Sequence, residues 1–378
     1  MTARDFHYED CAIRVAAPDA SIVAWLAEFL APAFAVRDPV ADVEELVSLQ
    51  IDAAEFDRMY DRGPSPDGRV AGCFMFDRGL VELPLWNGAE DGELVVLDRQ
   101  LGAFYRRDRT RGRTHVVARA AVGSTRVAVM RVVRELVMVH LQRAGWMLVH
   151  AAGFIVDDGA VIVAGPKRAG KTTLLMHALE SGRARFIAND RLAIRVGSDG
   201  AVVRGMPTIV SVRVSTTPRF PDLDARLLRS RYDYRRTLEE TRRDGLAAPR
   251  APAEAWSLTP IQFCDVFGAA AGIRATAAAI VFPRFLTQRH QITVHELAKP
   301  DARAALAAAL FSPHDATALF MSDSTVPGAV GPMARTTTES LLAATSTYVC
   351  DLGAGPTADH AWLSQVCEAM IPSPVTRR

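Results

Sequence analysis

Residues 165–173 read Gly165-Pro166-Lys167-Arg168-Ala169-Gly170-Lys171-Thr172-Thr173. This matches G-x-x-x-x-G-K-[ST], a loop whose backbone amides cradle phosphate groups. The pattern also constrains its surroundings. A strand must precede it and a helix must follow, so that the loop N–H groups and the helix N-terminus point at the anion. The flanks agree. Val161-Ile162-Val163-Ala164 is a short apolar run of the kind buried strands use, and residues 172–181 carry helical spacing with Leu175, Ala178 and Leu179 on one face. Gly182 is a natural stop. Only three of the 44 Lys and Arg residues are lysine, and Lys167 and Lys171 both lie in this loop. An arginine fork does not replace a compact ammonium that must reach between phosphates. Lys171 is therefore expected at the β/γ-phosphates and the Thr172 hydroxyl on Mg²⁺. Lys167 and Arg168 read either as extra charge at the phosphates or as solvated loop charges.

The 378 residues fit two domains, or one with large additions. With 49% hydrophobic and 23% charged residues the composition is that of an ordinary globular chain. A net charge of +1 gives no overall basic field, so neither nucleic acid nor a membrane surface is expected as a partner. No apolar run approaches the ~18 residues of a membrane span, and the first five residues lack a signal peptide's apolar core. Cys11, Cys73, Cys264, Cys350 and Cys367 are scattered, with no C-x-x-C pair. That argues against a zinc site or a disulfide framework, and for a reducing cytoplasm.

Along the chain, residues 1 to about 120 read as an α+β unit. Helical spacing runs over 21–34, and strands are expected at 70–76, 80–85 and 93–97. Arg106, Arg107, Arg109, Arg111 and Arg113 crowd one stretch, either facing an acidic partner or lining a solvated strand edge. Ser124 or Thr125 is expected to cap a helix running to about 144, with Arg131, Arg134, Glu135 and Gln142 on one face. A strand begins at 146, and Asp158-Gly159 is the expected turn of a hairpin feeding the loop. After the loop helix come a strand over 184–188 and a second hairpin about 197–200. Residues 224–250 are arginine-rich and read as an exposed arm, which either supplies a charge-stabilising arginine or is a solvated helix. A core strand at 277–282, a helix at 301–310, and helix, strand, helix over 335–370 complete the pattern.

A phosphate loop alone specifies phosphate binding, not a reaction. No guanine-reading N/T-K-x-D motif and no second acidic strand is present, which disfavours GTPases and transport ATPases. His150, Gly165-x4-Gly170-Lys171-Thr172, Ile187-Ala188-Asn189-Asp190-Arg191 and Arg204-Gly205 together resemble the catalytic domain of HPr kinase/phosphorylase. The resemblance covers about residues 146–215. It implies a phosphoenolpyruvate-carboxykinase-like P-loop core, which with the α+β N-terminal unit makes the expected fold α/β. The expected division is 1–123 for the accessory part, 124–330 for the catalytic part and 331–378 for an extension packed on it. The family's Asp-Asp is Asn189-Asp190 here, its metal-site Glu falls at Val202, and its glycine-rich run is Met206-Pro207-Thr208-Ile209. The chain is therefore closer to divergent HPr-kinase-like kinases than to enzymes acting reversibly on HPr. A homo-oligomer is compatible with the resemblance.

The expected reaction is ATP- and Mg²⁺-dependent phosphoryl transfer to a hydroxyl of a peptide, a protein Ser/Thr or a small metabolite. Gly165 to Thr173 hold the nucleotide. Thr172 and Asp190 meet the metal. Asp190 serves as general base, or else as a helix cap or an ion partner of Arg191. His150 lies beside the phosphates or is a satisfied core histidine. The rival expectation is a nucleotide-binding regulatory or scaffold protein with weak catalysis, motivated by Asn189 and Val202.

Overall fold

Apolar runs of period two and period 3.6 alternate along the chain and fold it into an α/β protein. The structure is a computed structural model that describes residues 1–40, 43–76, 79–87, 93–229, 255–286, 291–310, 330–353 and 360–368. Its described residues fall into two compact units, one built on Met1–Ala144 and one on Gly145–Tyr232, Glu254–Phe311 and Pro332–Arg378.

The first unit opens with β1 (Thr2–Tyr8), β2 (Cys11–Ala17), α1 (Ala20–Leu30), β3 (Ala35–Arg37), β4 (Glu45–Ile51) and α2 (Ala53–Asp61). There follow β5 (Val70–Phe76), β6 (Gly79–Pro84), β7 (Glu93–Asp98), β8 (Ala103–Asp108), β9 (Arg113–Ala118) and α3 (Gly123–Arg143). Seven of these strands form one sheet in the order β3-β1-β2-β4-β9-β8-β7. Phe56, Met59, Trp86, Val95, Leu97, Phe104 and Val117 pack a core on it.

Two expectations need correction here. Helix α1 stops at Leu30, short of 34; Asp19 caps its start by accepting from the Ser21 N–H at 2.8 Å. Helix α3 is capped at Val122, with Thr125 inside the first turn, its Oγ1 accepting from the Val122 N–H at 3.3 Å and donating to the Ala120 carbonyl at 3.0 Å. The polar residues that share one face of α3, Arg131, Arg134, Glu135 and Gln142, are all buried. Arg131 donates to Asp98 Oδ2 at 3.2 Å, so burial is met by pairing. The arginine run of 106–113 divides likewise. Arg107 is buried, donating to Glu45 Oε1 at 2.8 Å and Thr114 Oγ1 at 3.2 Å, while Arg111 is exposed against Asp108.

The second unit contains β10 (Met147–Val149), β11 (Ala151–Val156), β12 (Gly159–Ala164), α4 (Lys171–Glu180), β13 (Arg185–Ala188), β14 (Leu192–Gly197) and β15 (Gly200–Gly205). It continues with β16 (Val210–Arg213), a 3₁₀ turn (Val214–Arg219), α5 (Leu223–Leu228), β17 (Ala255–Leu258), α6 (Pro260–Phe267), β18 (Arg274–Phe285) and β19 (Thr293–Glu296). The last elements are α7 (Lys299–Ala307), α8 (Val330–Ala344), β20 (Ser346–Leu352) and α9 (Ala361–Glu368). Nine strands form a mixed sheet in the order β10-β14-β15-β18-β12-β11-β13, with β20 pairing β18 and β19.

Strand alternation sends Val161, Val163, Val281 and Cys350 to one face, where they pack against Leu174, Leu175 and Leu179 of α4, Phe263 of α6 and Trp362 of α9. Ile162, Ala164, Ile280 and Phe282 face the other way, toward Leu306 of α7 and Leu341 of α8. Each such fully buried large side chain contributes roughly 1.5–3 kcal/mol, and β12 and β18 lie at the centre of the sheet, covered on both faces. The β11–β12 turn is centred on Asp157 and Asp158, with φ of 46° and 66°, one residue earlier than Asp158-Gly159. Most of the arm expected at 224–250 lies outside the described residues. Its described beginning is packed, with Arg226 on Glu180 at 3.1 Å. None of the described helices is long and apolar enough to cross a membrane.

Candidate functional site

The loop that leaves β12 has a conformation few residues tolerate. Gly165, Arg168 and Gly170 have φ of 154°, 69° and 107°. At Gly170 the space a Cβ would need is filled by Leu352 and Phe285, so backbone freedom and close packing both require glycine there. Arg168 holds a left-handed conformation that costs a non-glycine residue about 1 kcal/mol or more, the kind of local strain found at ligand clamps. Helix α4 starts directly from the loop, and no side chain caps it. Its first-turn N–H groups therefore face the concavity. Lys171 is 8% exposed, and its Nζ donates to the carbonyls of Gly165 at 2.9 Å and Pro166 at 3.2 Å. The ammonium thus folds back over the loop that a phosphate would enter. Lys167 and Arg168 are exposed.

Sheet register brings the two distant candidates to this loop. Residues 146–152 do not form one strand; the run breaks at His150 into β10 and β11. β10 pairs with β14 at Val149↔Leu192, and β11 pairs with β13 at Gly153↔Ala188. Residues 150–152 and 189–191 are thus the two crossings between the same pair of ladders and must lie side by side. His150 Nδ1 comes to 3.1 Å from Asp190 Oδ1, and Arg191 Nε to 3.6 Å from Asp190 Oδ2. A close approach helps hold this corner: a Cβ on Gly205 would overlap the Ile187 carbonyl, and the Met206 N–H donates to Arg191 O at 3.0 Å.

Asp190 is partly buried, its side chain 28% exposed. Burial on its own would raise the carboxyl pKa, but the contacts with His150, then Arg191, then Lys171 outweigh it and bring the pKa down to about 2. The group is an anion throughout the physiological range. Sequence reading did not foresee the role of Asn189. It is 9% exposed, and its Oδ1 accepts from Thr172 Oγ1 at 2.9 Å. The signal was present, since Asn189 directly follows β13, at the sheet end that carries the loop. Oriented this way, the Thr172 oxygen has its lone pairs turned away from Asn189.

The donor set fits Mg²⁺ and fits a self-sufficient metal cage poorly. Among the described residues no group of three His, Cys, Asp or Glu converges. Mg²⁺ commonly takes one or two protein oxygens and fills its octahedron with phosphate oxygens and water, and here Thr172 Oγ1 and the Asp190 carboxylate are the available oxygens.

His177, on the buried face of α4, is a separate case. Desolvation, with help from the charges of His360 and Arg219, holds its pKa down at about 3, and its ring lies 4.5 Å from that of Phe220. It is a neutral packing residue of the loop helix.

No family model matches the chain, and no curated protein matches it. Among solved structures, a chain described as the Hpr(Ser) kinase/phosphatase from Coxiella burnetii aligns with 59% of this chain and 87% of its own length, at 9% identity and a TM-score of 0.21. A likeness at that score carries no argument about this chain. What stands on this chain's own geometry is an α/β unit whose phosphate-type loop, His150–Asp190 pair and Thr172–Asn189 bond share one end of one sheet.

Proposed function

We propose that this protein is an ATP-dependent kinase that transfers the γ-phosphoryl group, with Mg²⁺, to a hydroxyl of a peptide or protein Ser/Thr or of a small metabolite. The observation that carries the reading is the ionised Asp190, in contact with His150 and set at the same sheet end as the Lys171 loop. Loop amides and Lys171 hold the β- and γ-phosphates. Thr172 and Asp190 are the residues that would hold Mg²⁺, which when bound would neutralise charge on the phosphate oxygens. Asp190 accepts the acceptor hydroxyl's hydrogen bond and then its proton. With a pKa near 2 it is a weak base. That suffices because a loose phosphoryl-transfer transition state asks mainly for orientation of the nucleophile. His150, with Nδ1 3.1 Å from Oδ1, holds the carboxylate in place. The resemblance to HPr kinase/phosphorylase rests on these same residues.

The test is incubation with γ-labelled ATP, Mg²⁺, and panels of Ser/Thr peptides and small alcohols. Label moving to an acceptor and vanishing when Mg²⁺ is chelated is the expected result. Tight ATP binding with no label on any acceptor supports the second reading, a nucleotide-binding regulatory or scaffold protein. One observation favours that reading: Asn189 puts a neutral amide where a carboxylate would strengthen cation binding. An Asn189→Asp protein gains that charge beside Thr172. Its half-saturating Mg²⁺ concentration should fall about tenfold, since affinity for hard cations rises with ligand charge. Unchanged Mg²⁺ dependence would put the cation elsewhere.

A further inference from the structure

Phe285 is a large apolar side chain that stays 39% exposed although it stands against the phosphate-type loop. Strand β18 pairs with β12 as far as Val163↔Val281 and then runs on to Phe285. Alternation along β18 sends Phe285 to the same face as Val281, the face that packs against α4. A Cβ on Gly170 would meet Phe285 Cε2 at 3.1 Å and Cζ at 3.4 Å, so one edge of the ring lies against the loop. Arg219 takes one face, its guanidinium carbon 4.8 Å from the ring centroid. The opposite face and the far edge remain to account for the exposure.

The ring is fixed from several sides. Arg219 donates from Nη1 to the carbonyl of Gly353. Gly353 follows Leu352, which pairs with Phe285 in register and also fills the Cβ space of Gly170. The residue after Arg219, Phe220, lies on His177 of α4 with ring centroids 4.5 Å apart. Groups from β20, the 3₁₀ turn and the loop thus set the ring before any ligand arrives. A ring left open to water forgoes part of its burial energy. That loss is understandable where a second flat ring completes the stack.

The side of the loop on which Phe285 stands is informative. β11 and β13 lie to one side of β12, and β18 and β20 to the other. The Thr172–Asn189 bond ties the end of β13, and with it Asp190, to the first side. On the kinase reading the γ-phosphoryl end of the nucleotide faces Asp190. A nucleotide that reaches from there across the loop carries its base to the side of β18 and β20.

We propose that Phe285 is the stacking platform for the aromatic base of the bound nucleotide, and that Arg219 is its positioning residue. The inference rests on the kinase reading and gives a site to the end of the nucleotide that the phosphate loop does not hold. Stacking needs no base-reading motif, because every base has a π-face. The guanidinium on the far face holds the ring through a cation–π contact.

Binding of ADP and of pyrophosphate, each with Mg²⁺, separates the base from the phosphates. The wild type should bind ADP at least about tenfold more tightly than pyrophosphate, the size of effect one stacked base supplies. Phe285→Leu keeps an apolar side chain against Gly170 and should lose that preference, while its pyrophosphate affinity stays within about threefold. Phe285→Trp retains an aromatic face and should keep the preference; its added indole emission should change with ADP and not with pyrophosphate. Equal losses for both ligands in Phe285→Leu would mean that the ring only props the loop, and would overturn the proposal. So would a Phe285→Leu protein that still prefers ADP tenfold, or a Phe285→Trp protein whose added emission ignores ADP. A wild type that binds pyrophosphate as well as ADP leaves the phosphate loop standing and removes the base site. A wild type that binds neither brings down the kinase reading, and this inference with it.

Discussion

A Lys171→Ala protein should fold and lose phosphoryl transfer by about 10³-fold, with ATP affinity down at least tenfold; the measurements are label transfer and a nucleotide titration. The magnitude follows from removing one preorganised donor aimed at developing charge, which costs about 10²–10³ in rate, together with a lost ground-state contact. The site supports the argument in two ways. Lys171 is 8% exposed and already docked on the Gly165 and Pro166 carbonyls, so it needs little reorganisation when phosphate enters. It is also one of three lysines in a chain where arginine is otherwise the cation of choice. Lys171→Arg should fail nearly as badly, because the planar fork does not fit where a point charge sits between two carbonyls. Transfer at more than a tenth of the wild-type rate in Lys171→Ala counts against the loop as the phosphate site.

Asp190→Asn should lower transfer by about 10²–10⁴-fold, a larger loss than its loss of ATP affinity. Asparagine keeps the shape and cannot take a proton. A protein with this change that transfers at the wild-type rate removes Asp190 from the mechanism. The same variant has a stability signature. The Asp190 pKa is below its ordinary 3.8, at about 2, so its ionised form stabilises the fold by roughly 2 kcal/mol. For a depressed carboxyl the contribution is present above the unfolded value and lost as the pH falls through the folded one. Wild type should therefore exceed Asp190→Asn in urea midpoint by a constant margin from pH 7 to about pH 4.5, and the margin should shrink between about pH 4 and pH 2. A margin that instead fades between pH 7 and pH 6 would point to a group other than Asp190.

These expectations draw unequally on sequence and structure. The loop was legible because its requirements are local. Two glycines with φ of 154° and 107°, a lysine and a hydroxyl fall within the one segment 165–172, and the strand before and helix after follow from short-range periodicity. The late elements were legible for the same reason. Helix, strand and helix over 335–370 appear as α8, β20 and α9, and the strand expected at 277–282 is the middle of β18. For α3, periodicity reported which residues share a face and not what covers that face. Arg131 is buried against Asp98, a partner 33 positions away. The arginines of 106–113 show the same limit: Arg107 is buried by Glu45, which no window around it contains.

Sequence by itself determined that a phosphate-type loop exists here, which residues compose it, and that Lys171 is its cation. These are properties of one continuous segment, in which local dihedral demands and helix initiation leave few alternatives. Tertiary structure decided what stands around the loop. The break at His150, between Val149↔Leu192 and Gly153↔Ala188, puts His150 beside Asp190; Asn189 turns out to hold Thr172; and a parallel register sets Arg284 on the buried Asp351. Strand pairing is a long-range choice, made by which apolar faces bury each other, and a slip of one residue sends a side chain to the other face of the sheet. The charges that meet at this sheet end are therefore set by the packing of the two cores beneath it and not by any motif.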